Sequence, residues 1–235
     1  MKRISLIHFG SNKRQRQTNK DDKDNKNKVN KNNCDDNSDD EYGNEYGNIY
    51  LKDNHLYYHD DVNSKNIDKV KKLMREYMEK CSKHKYINYI SNCSYKPLYL
   101  HIYSYGGEVH SCLTLYDFII EYSEKIPVYT VVEGVAASAA TIISIAGTKR
   151  YITPNSYMLI HQISTFFGGN FEQIKDEFGN CEKIMKQLKD IYSQKTNLKK
   201  TQLTDILKRD VNWNANECKK YGLVDEIKLI DIFND

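Results

Sequence analysis

Apolar positions along this chain follow two periods after about residue 48 and neither before it. The runs NIYL and HLYYH read as short strands. Over residues 65–80, Ile67, Val70, Leu73, Met74, Tyr77 and Met78 return at the three-to-four spacing of a helix. Asp61 or Ser64 can cap its start. A polar stretch around Asn88–Ser94 reads as a loop. LYLHIY (98–103) then reads as a buried strand ending in Ser-Tyr-Gly-Gly. A helix is predicted over about 109–123, a β-branched strand over 127–132 (PVYTVV), and a buried helix tightly packed by alanines over 134–147 (GVAASAATIISIAG). RYIT and YMLIH, within 150–161, form two more strands about a Pro-Asn turn.

A long amphipathic helix follows from about Phe171 to Lys195. Phe171, Ile174, Phe178, Cys181, Ile184, Met185, Leu188 and Ile191 lie along one stripe, with Asn170 as N-cap and Gln173 at the capping-box position. Thr201 and Asn214 are the expected caps of two shorter helices, and YGLVDEIKLI closes the domain as a strand. Strands alternating with helices argue for an α/β domain with parallel pairing.

Composition changes this picture mainly at the N-terminus. Residues 11 to about 48 pass from a basic, Asn-rich half to an acidic half, with too little apolar area to offset the entropy of ordering. The expected organisation is a disordered low-complexity tail over 1–48 and one domain over 49–235. The net charge of +3, from 35 basic and 32 acidic side chains, is too balanced to imply a nucleic-acid partner. The six cysteines form no C-x-x-C pair and none has His at zinc-finger spacing, so they read as thiols in a reducing compartment. No run approaches the ~20 apolar residues of a membrane helix, and the apolar patch in MKRISLIHFG is too short for a secretory signal. A cytoplasmic location is expected. The alternative is an organelle, because the first twenty residues carry basic side chains and no acid.

Four places carry candidate chemistry, and each has an ordinary structural alternative. Ser138 lies where a strand turns through Gly134 into an apolar helix. It reads either as an N-cap or as a nucleophile on a sharp strand-to-helix turn, where unpaired N–H groups favour developing negative charge. Gly106-Gly107 is either a plain turn or an exposed backbone donor of the kind an oxyanion hole uses. His161, at the end of YMLIH, is a structural histidine or a general base for Ser138. Asp210 is a charged residue near a helix end, or the carboxylate that fixes an imidazole tautomer.

Together, SYGGEVHSCLTLYDFI (104–119), GVAASAATIISIAG (134–147), PNSYMLIHQ (154–162) and RDVNWNANECKKYGLVDEI (209–227) resemble the Clp protease proteolytic subunit family in order and spacing. The resemblance covers about residues 49–227. It implies the ClpP/crotonase-like α/β fold, with residues 166–170 and the helix after them as an interlocking handle. It also implies an ATP-dependent serine endopeptidase in which Ser138 is the nucleophile, His161 the general base and then acid, and Asp210 the residue that orients His161. The backbone N–H groups of Gly107 and Ala139 correspond to the oxyanion hole. No metal or other cofactor is implied on this chain. The implied substrates are unfolded polypeptides, the implied assembly a homo-oligomer of two stacked seven-membered rings, and the implied partner an AAA+ unfoldase. Neither nucleic acid nor membrane is expected as a partner.

The chain departs from the family pattern at Tyr105 and Ile163, where proline is usual, at Glu108, where a small apolar residue is usual, and at Lys208, where an acid is usual. The low-complexity tail stands in place of the family's N-terminal segment. Two rival readings share most of these residues: a catalytically silent Clp-like ring subunit, and a phage-type prohead maturation protease with a similar A-A-S-A-A turn. A crotonase-type acyl-CoA enzyme would share the fold and the Gly-Gly turn. It would leave Ser138, His161 and Asp210 unexplained.

Overall fold

The structure is a computed structural model that describes residues 8–9, 48–87 and 96–230, the side chains of 8–9 and 84–87 excepted. The loop expected around Asn88–Ser94 lies outside the described residues. So does the tail expected over 1–48, apart from His8, Phe9 and Asn48. His8–Phe9 (β1) pairs antiparallel with Ile163–Ser164 (β8).

The domain is built on an eight-stranded sheet with helices packed on it, and β1 with β8 forms a separate two-stranded sheet among the described residues. Ile49–Lys52 (β2) and His55–Tyr58 (β3) form an antiparallel hairpin whose turn places Asp53 at φ 53°, a conformation that aspartate tolerates. Leu98–Ser104 (β4), Val128–Ala137 (β5), Lys149–Ile152 (β6) and Glu226–Ile227 (β10) continue it in parallel, in the order β10-β6-β5-β4-β3-β2. Alternation along the strands sorts the two faces. In β4, Leu98, Leu100 and Ile102 enter the main core, while Tyr99 joins Val131 and Tyr151 in a small separate cluster on the other face.

The helices follow their apolar spacing. Ser64–Ile87 (α1) buries Ile67, Val70, Met74 and Tyr77. Its cap is Asn63, whose side chain accepts from the Asn66 N–H at 2.9 Å, and not Asp61 or Ser64. Val109–Ser123 (α2) packs against α1. Phe171–Lys195 (α4) has the expected reciprocal Asn170–Gln173 capping box. The apolar stripe of α4 divides in two: Leu188, Ile191 and Tyr192 are buried, whereas Phe171, Ile174 and Phe178 are exposed on its first half. Ala215–Lys220 (α6) is capped by Asn214 and Glu217 as expected. Lys200–Ile206 (α5) starts one residue before Thr201, with the Gln202 side chain accepting from the Lys199 N–H.

The largest difference from the sequence reading is at 134–147. The helix there (α3) covers only Ala139–Ser144, because Gly134 to Ala137 continue β5. Val135, Ala136 and Ala137 pair in parallel with the strand Tyr157–Leu159 (β7), and this pairing overrides the helical preference of alanine. β5 pairs with β6 as far as Val132 and with β7 from Val135. Gly134 lies between, at φ 72°, where a Cβ would come within 2.8 Å of the Tyr103 ring. Asn212–Asn214 (β9), not anticipated from sequence, pairs antiparallel with β7.

Candidate active site

The end of β5 supplies the first residue of the site. Ser138 follows Ala137 and precedes α3, with φ 62° and ψ −126°. A non-glycine residue at positive φ is strained, and such residues concentrate where a side chain must be aimed. Both backbone groups of Ser138 are held. Its N–H donates to the Leu159 carbonyl at 2.7 Å, and its own carbonyl accepts from the Thr141 N–H at 3.0 Å.

β7 supplies the second residue. His161 follows it by two positions and is 4% exposed, beside Ser138 at 3%. His161 Nε2 lies 2.9 Å from Ser138 Oγ, and His161 Nδ1 lies 2.8 Å from Asp210 Oδ1. An ionised carboxylate only accepts, so Nδ1 carries the proton and Nε2 presents its lone pair to the serine hydroxyl. That is the tautomer a general base needs. Asp210 sits between α5 and β9, and the Gln162 N–H bonds the Leu207 carbonyl at 2.7 Å, tying the His161 strand to the end of α5. The Asp210 side chain is 70% exposed, so water screens its charge and its clearest role is to orient the imidazole.

The Gly-Gly turn after β4 closes the site. The Val62 N–H bonds the Gly106 carbonyl at 2.8 Å and the Glu108 N–H bonds the Val62 carbonyl at 2.7 Å, so the N–H and C=O of Gly107 face away from Val62. Glycine is required at both positions. At Gly106 (φ +95°) a Cβ would lie 2.6 Å from Ser138 Cβ and 3.0 Å from Ala139 N; at Gly107 (φ +149°) it would lie 2.2 Å from the Val62 carbonyl oxygen. The turn is thus pressed against Ser138 and the start of α3. Ala139 is the first residue of that helix, and its N–H has no acceptor within it.

The five residues singled out from sequence therefore come together. Val62 and Leu159, which hold the turn and Ser138 through their backbones, left no mark in the pattern of side chains. Glu108 accepts from the Ser111 hydroxyl at 2.6 Å at the start of α2. Cys112 lies under the site, its thiol donating to the Ala139 carbonyl at 3.3 Å. Burial pushes its pKa up, which disfavours the thiolate and removes it as a competing nucleophile. Among the described residues, no group of three or more His, Cys, Asp or Glu side chains is arranged to hold a metal ion. Nor is any helix among them long and apolar enough to cross a membrane.

Known proteins share this arrangement of chain. A profile of the Clp protease family matches residues 84–230. The ATP-dependent Clp protease proteolytic subunit of Deinococcus radiodurans is 36% identical over 124 residues, which span 52% of this chain and 60% of that protein. Proteolytic subunit 2 of the ATP-dependent Clp protease of Treponema denticola is 34% identical over 134 residues, 56% of this chain and 66% of that one. The matched segment thus spans between three fifths and two thirds of these relatives. Among solved structures, a mutant of ClpP1 from Listeria monocytogenes superposes with a TM-score of 0.58 at 27% identity, covering 72% of this chain and 88% of that one.

Proposed function

The chain belongs to the Clp protease family, and on that premise we propose that it is a serine endopeptidase working through an acyl-enzyme on Ser138. The observation that carries this reading is the continuous hydrogen-bonded path from Asp210 through His161 to Ser138. In the proposed reaction, Ser138 Oγ attacks the carbonyl carbon of a peptide bond while its proton passes to His161 Nε2. Asp210 holds the ring in place as it becomes cationic. The carbonyl oxygen becomes an oxyanion and accepts from the N–H groups of Gly107 and Ala139, each such donor being worth about 3–4 kcal/mol in the transition state. The carbon–nitrogen bond then breaks, and the leaving amine takes the proton from Nε2. A water, deprotonated by the same nitrogen, attacks the ester carbonyl; the carbon–oxygen bond to Ser138 then breaks, and Nε2 returns the proton to Ser138 Oγ.

The substrates proposed are unfolded polypeptides, cleaved inside an oligomer of this chain and delivered by an AAA+ unfoldase. Two observations support this. The relatives are named as proteolytic subunits of ATP-dependent proteases. The first half of α4 exposes Phe171, Ile174 and Phe178, an apolar stripe suited to burial against another copy. The test is cleavage of an unfolded model protein by the purified, assembled chain. Wild type should generate short peptides, and Ser138→Ala, equally folded and assembled, should generate none. Equal turnover by the two would remove Ser138 from the reaction.

A further inference from the structure

The Ser138 carbonyl accepts a second hydrogen bond, from the hydroxyl of Thr141 at 2.6 Å. The same Thr141 oxygen lies 2.5 Å from the hydroxyl of Tyr192, fifty-one residues further along. Proton counting fixes the directions. The carbonyl can only accept, so Thr141 gives its one hydroxyl proton to Ser138 and Tyr192 must donate to Thr141. Thr141 and Tyr192 are both 0% exposed, and burial raises the pKa of Tyr192, which keeps it a neutral donor. A threonine hydroxyl bonding a carbonyl one turn back is ordinary in a helix. A second buried hydroxyl arriving from another helix to donate to that threonine, which itself holds the carbonyl of a residue at positive φ, is not.

We propose that Tyr192 and Thr141 are positioning residues for Ser138: the chain Tyr192–Thr141–Ser138 carbonyl holds the strained turn, and with it the direction of the Ser138 hydroxyl. Ser138 is clamped from two sides. Leu159 holds its N–H, and Thr141 holds its carbonyl through both the amide and the hydroxyl. Losing the hydroxyl path lets the peptide plane after Ser138 rock and moves Oγ off His161 Nε2. It touches neither His161 nor Asp210. Tyr192 sits near the end of α4, with its own carbonyl accepting from Thr196, so its hydroxyl is anchored by a rigid element.

This inference rests on the reading of Ser138 as nucleophile, and one experiment separates the two. The rate of Ser138 phosphonylation by a fluorophosphonate is measured for wild type, Tyr192→Phe, Thr141→Val, the double variant and Thr141→Ser, beside each thermal midpoint and the pH profile. Tyr192→Phe should slow labelling about tenfold and lower kcat for a peptide similarly, with KM within about twofold. The midpoint of the pH profile should not move, because the base is unaltered. Thr141→Val should match or exceed that loss, and the double variant should be no slower than Thr141→Val alone, since Tyr192 acts through Thr141. Thr141→Ser, which keeps the hydroxyl, should retain the wild-type rate. Labelling of Tyr192→Phe within twofold of wild type, whatever its thermal midpoint, would overturn the proposal and leave the nucleophile standing. So would losses that multiply in the double variant. If Thr141→Val does not fold, Tyr192→Phe and Thr141→Ser still decide. Wild type that does not label at Ser138 would instead overturn the underlying reading.

Discussion

Two carboxylate–histidine relays of nearly equal geometry lie in this sheet. One runs from Asp210 through His161 to Ser138, with steps of 2.8 and 2.9 Å. The other runs from Glu133 through His101 to His55, with steps of 2.7 and 2.8 Å. The second lies across β5, β4 and β3 on the face away from the main core, with His101 stacked on Tyr57 and His55 on Tyr99. The first ends on a hydroxyl, on a turn at positive φ, beside the backbone N–H groups of Gly107 and Ala139. The lesson is that a relay orients a proton and does no more. What distinguishes the first is the group at its end and the backbone N–H groups beside it, where the proposed reaction would develop charge. The second is a buried polar network that satisfies the groups the pleat turns to that face.

The comparison breaks most sharply at its chemical end. Ser138→Ala should lower peptide cleavage by about 10⁶-fold, with a thermal midpoint within a few degrees of wild type, read by a fluorogenic peptide assay and a melt. Asp210→Asn should lower kcat by up to ~10⁴-fold, because the amide no longer enforces the Nδ1-protonated tautomer. A loss well short of that would mean that His161 keeps its tautomer and position without the Asp210 carboxylate. The other relay should respond in the opposite currency. His101→Ala removes the hydrogen bonds that His101 makes to the partly buried Glu133 and the buried His55. It should cost about 1–3 kcal/mol of stability by denaturant titration, while labelling of Ser138 per folded molecule stays within about twofold. A large loss of labelling with intact stability would show that the two relays are coupled.

The smallest effect is a pH dependence. Burial alone would raise the pKa of Glu133. The hydrogen bond from His101 and the charges of His101, His59 and His55 outweigh it, so the carboxyl sits below its ordinary value. A depressed folded pKa adds stability that is present above the unfolded value of about 4.3 and is lost as pH falls through the folded one. The stability advantage of wild type over Glu133→Gln should therefore shrink as pH is lowered from about 5 toward 3. An advantage that grows with acid would reverse the sign assigned to this pair.

Much of the site was legible in the sequence because it is carried by motifs. Gly106-Gly107, the small residues around Ser138, His161 after an apolar run and Asp210 before Val211-Asn212 keep their order along the chain. The α1 stripe and the Asn170 and Asn214 caps were legible because they are local. The rest depended on contacts that pattern cannot carry. GVAA resembles a helix start until β7 arrives to pair with it. Tyr192 reads as one more residue on an amphipathic helix until Thr141 is placed against it. His55, His101 and Glu133 come together only through the register of β3, β4 and β5, which pairs His55 with Tyr99 and His101 with Val131.

The central claim is that Ser138 is an activated nucleophile, and covalent labelling tests it most directly. The assembled protein would be treated with a fluorophosphonate and the modified peptide identified by mass, beside Ser138→Ala and His161→Ala. One adduct is expected, on Ser138, absent from Ser138→Ala and formed far more slowly in His161→Ala. An assembled wild-type protein that takes up no adduct, or one that His161→Ala leaves unaffected, would contradict the claim.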